Sequence, residues 1–151
     1  MTTVYDVPPQ KLIDLTAEKL REFQEIAQPE WASDVKTGTH VETQPVQENW
    51  WHIRTAAVLR KIYMYGPIGT ERLSAEFGGA KDRKVKPYKA VKGSRSIIRN
   101  SLQQLESAGL VEADKNRGRK VTPKGQSLLD NTAREVMKEL ASAEPELSKY
   151  Y

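Results

Sequence analysis

Apolar side chains recur every three or four residues in five stretches of the chain, the spacing that places them on one face of an α-helix. The predicted helices cover about residues 9–23, 50–65, 70–77, 94–109 and 122–140. Gly66 and Gly109 lie where the second and fourth patterns stop, and Ser94 and Thr122 occupy N-cap positions. The pattern therefore predicts a mainly α fold.

The helix predicted over 50–65 carries apolar residues around nearly its whole circumference. We therefore expect other elements to surround it on most sides. The exceptions are Arg54 and Lys61, which are seven residues apart and share one stripe, and Arg60 on another. At these three positions we expect the helix to be in contact with solvent or with a ligand.

Two internal stretches lack a sustained hydrophobic period. Residues 29–49 contain two prolines, a glycine and several Thr and Gln, which favours an ordered surface loop pinned by Trp31. Residues 80–93 contain Pro87 and many cations, and we expect a long loop there whose charge is displayed.

The last part of the chain combines a predicted hairpin with a tail. Short apolar runs at 110–112 and 120–122, joined by a basic turn, predict two short strands. The helical pattern fades after residue 140. We therefore expect a single domain over 1–140 and a C-terminal tail over 141–151 that is ordered only when something binds it.

Charge is distributed unevenly along the 151 residues, whose formal net charge is +4. Residues 80–100 hold eight basic side chains against Asp82 alone, whereas 1–30 and 126–151 are acidic. A face that only solubilises a protein mixes both signs, but a run of one sign repels itself and gains most from a phosphate-rich partner. This distribution indicates a polyanion as the partner.

Several function classes are excluded or disfavoured by composition. The absence of cysteine removes disulfides, iron–sulfur clusters, cysteine-ligated zinc and thiol nucleophiles. The two histidines, His40 and His52, lack metal-ligand spacing, and no phosphate-binding Gly-Lys-Ser/Thr loop is present. We therefore expect no metal, no cofactor and no enzymatic activity. Apolar runs are too short for a membrane span and the first ten residues do not resemble a signal peptide, which makes a cytoplasmic protein the default.

The order of the predicted elements is that of a winged helix-turn-helix module: two helices, a third amphipathic helix and a hairpin with a basic tip. We expect a helical bundle of this type with one small β-hairpin and extra N- and C-terminal helices. Hydrogen-bond donors would line the third helix and the wing, namely Arg95, Arg99, Asn100, Gln103, Arg117, Arg119 and Lys120. The basic insertion at 80–93 would obstruct compact docking in a DNA major groove, but suits folded RNA read by its shape and backbone.

Two other interpretations stay open at this point. A winged-helix transcription regulator that reads duplex DNA would use the same elements, with its first or last helix serving for dimerisation. A protein-interaction module would bind its partner through the acidic helices, and the basic stretch would then be incidental.

Three blocks of the sequence are distinctive in composition, order and spacing. They are Trp50-Trp51-His52-Ile53-Arg54-Thr55-Ala56-Ala57-Val58-Leu59-Arg60-Lys61-Ile62-Tyr63, Gly66-Pro67-Ile68-Gly69, and the segment from Ser96-Ile97-Ile98-Arg99 to Leu102-Gln103-Gln104-Leu105-Glu106-Ser107-Ala108-Gly109-Leu110-Val111. Together they resemble one known family, the archaeal and eukaryotic small-subunit ribosomal proteins S19e. The resemblance runs from about Val4 to Leu140, and the start Val4-Tyr5-Asp6-Val7-Pro8 is similar to archaeal members.

The resemblance implies a ribosome-bound protein without enzymatic activity, seated on the 16S-type ribosomal RNA of the small-subunit head beside other head proteins. It also implies a role in maturation of the 30S subunit and a monomeric state in isolation. The family's basic positions fall on Arg54, Arg60, Arg95, Arg99 and the turn Gly118-Arg119-Lys120. For Arg54 and Arg60 a structural role in salt bridges or helix packing competes with RNA contact.

Together the charge run and the resemblance give one set of candidate RNA-binding residues. They are Arg54, Arg60, Lys61, Lys81, Arg83, Lys84, Lys86, Lys89, Lys92, Arg95, Arg99, Arg117, Arg119 and Lys120.

Overall fold

The computed structural model describes residues 1–150 and confirms the mainly helical fold class. The helices are α1 (Pro9–Leu20), α2 (Trp50–Tyr65), α3 (Thr70–Glu76), α4 (Arg95–Ser107) and α5 (Pro123–Ala143). The strands are β1 (Gly79–Arg83), β2 (Lys86–Val91), β3 (Val111–Asp114) and β4 (Gly118–Val121), with short 3-10 turns at Val4–Asp6, Glu30–Asp34 and Pro145–Tyr150. Each predicted helix is present, although α1 ends three residues before the expected Phe23.

Helix α2 lies in the middle of the molecule and packs against α1, α4 and α5, as its nearly continuous apolar surface predicts. Val58, Leu59 and Ile62 are completely buried. The Tyr63 hydroxyl donates to Asp130 Oδ1 at 2.8 Å and ties α2 to α5. Burial and the Asp130 carboxylate raise the pKa of Tyr63 to about 12, so this phenol stays protonated at neutral pH.

A cluster of tryptophans joins α2 to the loop over residues 29–49. The Trp31 ring meets buried Trp51 edge to face, with ring centroids 5.6 Å apart. The Trp51 indole Nε1 donates to Gln104 Oε1 at 2.8 Å, and Gln104 Nε2 donates to the Ala27 carbonyl at 2.8 Å. The loop is therefore ordered and pinned by Trp31, as predicted.

The predicted hairpin is formed by β3 and β4 and is called the wing below. Glu112 lies directly opposite Lys120 in its register. Arg119 and Ile68 exchange two backbone hydrogen bonds of 3.0 and 3.1 Å, which attach the wing to the turn between α2 and α3. Gly118 has φ +104°, and a Cβ there would fall 2.4 Å from the Ile68 backbone. Only glycine allows this close approach.

The prediction of a loop over 80–93 is wrong, because β1 and β2 form a second antiparallel hairpin there, called the ribbon below. Its strands show no alternation of apolar and polar residues because neither face packs on a core. Its tip also lacks the Asn-Gly or Asp-Gly pair that usually marks a hairpin. Lys84 instead takes the left-handed conformation at φ 62°, and its backbone N–H donates to Asp82 Oδ1 at 2.8 Å.

The end of the described chain is more regular than its sequence pattern indicates. Helix α5 continues to Ala143, three residues beyond the expected boundary. The following 3-10 turn packs back on α5, and half-buried Leu147 lines a cleft together with Met137. The expectation that this tail is ordered only when something binds it stays a prediction. Tyr151, the last residue of the expected tail, lies outside the described residues.

Candidate nucleic-acid interface

Four basic side chains of the ribbon share one face. Lys81 pairs with Lys89 and Arg83 with Lys86 in the strand register. Directly opposed residues, and residues two apart in one strand, point to the same side of a sheet. The ribbon therefore presents Lys81, Arg83, Lys86 and Lys89 together, and we call these four residues the ribbon quartet.

The quartet has no acidic partner among residues 1–150. None of the five ion pairs in this part of the structure includes a quartet residue. Both of its cross-strand pairs place like charges opposite each other, which destabilises a sheet. The wing shows the contrary arrangement, in which Lys120 faces Glu112 and pairs with it at 3.2 Å. The charge of the quartet is thus uncompensated by ion pairs within residues 1–150, and three of its four residues are exposed while Lys81 is half-buried.

The base of the ribbon is fixed by close backbone contacts. Gly93 N–H donates to the Ser74 carbonyl at 2.8 Å, and Ser94 N–H donates to the Thr37 carbonyl at 3.0 Å. A Cβ on Gly78 would lie 2.1 Å from the Val91 carbonyl oxygen. The ribbon therefore leaves the domain from a rigid root, although its tip has no packing partner in the described chain.

We expect Gly78→Ala to loosen this root. The added methyl group must displace the β2 backbone, and such overpacking costs about 1–3 kcal/mol. Hydrogen exchange of the β1 and β2 amides should then accelerate while exchange in α2 stays unchanged. Gly69→Ala is the matched control, since a Cβ there meets nothing within 4 Å. Equal ribbon protection in the two variants would contradict this description of the root.

Helix α4 follows the ribbon directly and begins with basic residues. Ser94 Oγ caps the helix by accepting from Ile97 N–H at 3.4 Å, as predicted. Arg95 and Arg99 are exposed and form no ion pair within residues 1–150. Arg95 lies close enough to Glu71 to help lower the pKa of that carboxyl, behind the larger effects of the Lys92 hydrogen bond and charge. The basic surface thus continues from the ribbon root onto α4.

The wing tip faces the start of α3 across a shallow cleft. Exposed Arg117 and Arg72 both line this cleft. Two other predicted wing residues are engaged internally: Arg119 Nε lies 3.3 Å from Glu106 Oε2, and Lys120 pairs with Glu112. Of the predicted wing residues, Arg117 is therefore the one whose charge is free within residues 1–150, and exposed Lys115 in the same turn, which was not predicted, is free as well.

The structure places the three predicted RNA-binding residues of α2 in different surroundings. The Arg54 guanidinium lies 4.6 Å from the Phe77 ring centroid, and burial lowers its pKa. Arg54 Nη1 and Arg60 Nε are buried and have no hydrogen-bond partner among residues 1–150. Lys61 pairs with Glu76 at 3.1 Å. No salt bridge of Arg54 or Arg60 is present in that range, and the structural role visible for Arg54 is its packing on Phe77.

Arg72 was missed from the sequence. Glu71 and Glu76 lie in the same short helix, so the local charge balance gave no signal. Only the fold places Arg72 opposite the wing tip. Helix α3 thus lies between the two hairpins: its Arg72 faces the wing tip, and its Glu71 pairs with Lys92 at the ribbon root at 2.6 Å.

Other kinds of site find no support in the described part of the chain. Residues 1–150 contain no group of three or more acidic or histidine side chains placed to hold a metal ion. None of their helices is long and apolar enough to cross a membrane.

Fold and surface together define a mainly helical protein that displays two basic hairpins. Ribosomal protein S19e is the family that matches, over residues 3–139. Small ribosomal subunit protein eS19 of Haloarcula marismortui is 46% identical over 154 aligned positions that cover 99% of both chains. The eS19 of Thermoplasma acidophilum is 44% identical, again with 99% of both chains covered, and eS19A of Schizosaccharomyces pombe is 36% identical over 91% of this chain and 95% of its own.

The chain belongs to the ribosomal protein S19e family. The resemblance seen in the sequence is thereby confirmed, including its archaeal character, since the two archaeal relatives are more similar than the fission yeast protein. Because this is a family of ribosomal proteins, the expectation of a non-enzymatic protein is confirmed as well.

Proposed function

We propose that the protein is a constituent of the small ribosomal subunit and binds the ribosomal RNA of its head through phosphate contacts centred on the ribbon. The observation that carries the proposal is the ribbon quartet, four cations on one protruding face without an acid to neutralise them. In this proposal the protein also contacts neighbouring proteins of the head, and it is located in the cytoplasm, bound to the ribosome.

In the free protein the arrangement of charges in the ribbon costs stability. A two-stranded ribbon without a core is marginally stable, and its like-charged cross-strand pairs weaken it further. A polyanion reverses this effect because phosphates neutralise the cations and condensed counterions are released. Contacts of this kind follow the shape and backbone of folded RNA and need no base sequence.

The remaining predicted residues contribute unequally in this proposal. Lys84, Arg95, Arg99 and Arg117 are exposed and free of ion pairs within residues 1–150, so each can meet a phosphate directly. Lys61, Lys92, Arg119 and Lys120 must first exchange an acidic partner. Arg54 and Arg60 would contact RNA only through their other guanidinium nitrogens, because Arg54 Nη1 and Arg60 Nε are buried.

A DNA-binding regulator is supported less well by the same surface. Such a protein would place α4 in the major groove, but the rigidly rooted ribbon emerges immediately before α4 and adds a second projecting element there. It would also need a dimerisation helix. Neither α1 nor α5 carries a large hydrophobic side chain among the exposed ones of residues 1–150, which favours a monomer in isolation.

The proposal predicts that the endogenous protein sediments with small subunits and remains bound in high salt. Depletion of the protein should leave small subunits immature, because an unformed head site stalls assembly. Sucrose-gradient profiles after depletion and re-expression measure both effects. Sedimentation apart from small subunits would contradict the proposed function, and normal subunit profiles after depletion would contradict the role in maturation.

A further inference from the structure

The ribbon exposes an aromatic side chain that folding does not explain. Tyr88 is 70% exposed, and no aromatic or cationic group lies over its ring within residues 1–150. Val85, at the turn, is 98% exposed. Val85 buries almost none of its surface and Tyr88 less than a third, so neither contributes the usual stabilisation of a buried hydrophobic residue.

Tyr88 occupies an irregular position in the strand pairing. Between the pairs Lys81–Lys89 and Arg83–Lys86, β1 contributes one residue, Asp82, whereas β2 contributes two, Pro87 and Tyr88. The extra residue is a β-bulge, a device that redirects a side chain and is frequent beside functional sites. Arg83 Nε donates to the Pro87 carbonyl at 2.9 Å and braces this bulge.

Basic residues adjoin Tyr88 along β2. Lys86 and Lys89 stand two residues before and one residue after Tyr88, and both belong to the ribbon quartet. Tyr88 lies opposite Asp82, so its ring leaves this two-stranded ribbon on the side away from the quartet. Proteins hold unpaired nucleotides by combining cations that follow the backbone with aromatic rings that stack on bases. The charge of the ribbon favours a nucleic acid over an apolar protein partner.

We propose that Tyr88 stacks on an unpaired base of the RNA whose phosphates the ribbon quartet neutralises. This inference rests on the proposed function and adds the kind of RNA element at the ribbon: a loop, a bulge or a flipped-out nucleotide. Bases within an A-form helix are already stacked on one another and lie out of reach of such a ring, whereas unpaired bases can be splayed out onto it.

Equilibrium binding of the full-length protein to a 16S-type ribosomal RNA transcript, repeated over a range of salt concentrations, tests the inference. Tyr88→Ala should raise the Kd about 5- to 150-fold, because removing one aromatic ring that stacks on a base typically costs this much affinity. The slope of log Kd against log salt should stay at the wild-type value, since no phosphate contact is lost. Tyr88→Phe should bind within about twofold of the wild type because it keeps the ring.

Two controls separate stacking from other effects. Tyr150→Ala removes another exposed tyrosine, 81% exposed at the far end of the chain, and should leave binding unchanged. A fully paired RNA duplex should bind the wild type and Tyr88→Ala equally. Circular dichroism of each variant should match the wild type, because Tyr88 and Tyr150 are mostly exposed and belong to neither hydrophobic cluster of the domain.

Several outcomes would overturn the inference. The first is wild-type affinity for Tyr88→Ala. The second is a Tyr88→Phe variant that binds as weakly as Tyr88→Ala, which would mean that the hydroxyl group binds a phosphate. The third is a lower salt slope in Tyr88→Ala than in the wild type. The proposed function fails separately, if neutralising the ribbon quartet leaves the salt slope unchanged. If the quartet variant flattens the salt slope and Tyr88→Ala binds with wild-type affinity, the stacking inference is wrong while the proposed function stands.

Discussion

Replacing the ribbon quartet with glutamine is expected to flatten the salt dependence of ribosomal RNA binding by about 3 units of log Kd per log unit of salt, since each lost phosphate contact removes about 0.7–0.9. Extrapolated from 1 M salt, this corresponds to a loss of roughly a thousandfold in affinity at 0.1 M. The variant is Lys81→Gln, Arg83→Gln, Lys86→Gln and Lys89→Gln combined. Glutamine keeps most of the side-chain length and relieves the like-charge pairs, so the ribbon itself should persist.

A charge-matched control separates local contact from net charge. Lys11, Arg21, Arg134 and Lys138 are exposed on or beside α1 and α5, and none forms an ion pair within residues 1–150. Replacing these four with glutamine removes the same charge from another part of the surface and should change the slope by less than one unit. Equal slopes in the two variants would show that the ribbon has no special role.

Trp51→Ala is expected to lower the free energy of unfolding by about 3–5 kcal/mol, the range for truncating a fully buried large aromatic side chain. Trp51 has no exposed surface and joins α2 to α4 through its hydrogen bond to Gln104. Its loss leaves a void and an unpaired amide oxygen. Urea unfolding followed by circular dichroism measures the change without relying on tryptophan fluorescence.

Trp31→Ala is the control for the tryptophan cluster. Trp31 meets the same Trp51 ring but is 36% exposed, so its removal should cost clearly less, about 1–2 kcal/mol. If the two variants lost the same stability, or if Trp51→Ala lost less than about 1 kcal/mol, the cluster would not be the junction described above.

The helices could be predicted because their signals are local. Apolar periodicity located α2 at its observed bounds, and N-caps and glycines marked the ends of α4. The ribbon was missed because neither strand has an apolar face and its turn lacks the usual residue pair, so the segment carries no local strand signal. The backbone bonds of its Gly93–Ser94 root to Ser74 and Thr37 join distant partners that no single-sequence pattern reports.

The positive charge of the candidate interface could be predicted from the sequence, but the ion pairs that engage some of its cations could not. The run over 80–100 was evident from residue types, and the structure leaves most of it exposed and uncompensated. Which cations are engaged depends on tertiary contacts: Lys92 meets Glu71, 21 residues earlier, and Arg119 meets Glu106, 13 residues earlier. Tyr88 stood in the sequence among the lysines, but its significance depends on a bulge that exists only in the paired ribbon.

Tethered hydroxyl-radical cleavage measures whether the ribbon lies on small-subunit ribosomal RNA. The chain has no cysteine, so Val85→Cys at the exposed ribbon turn gives a single attachment point for an iron chelate. Glu139→Cys on α5 provides a second, separate point. In assembled subunits we expect strong, clustered cuts in the head RNA from position 85 and weaker or different cuts from position 139. Absence of RNA cleavage from position 85, with cleavage from position 139 intact, would mean that the ribbon does not lie on this RNA.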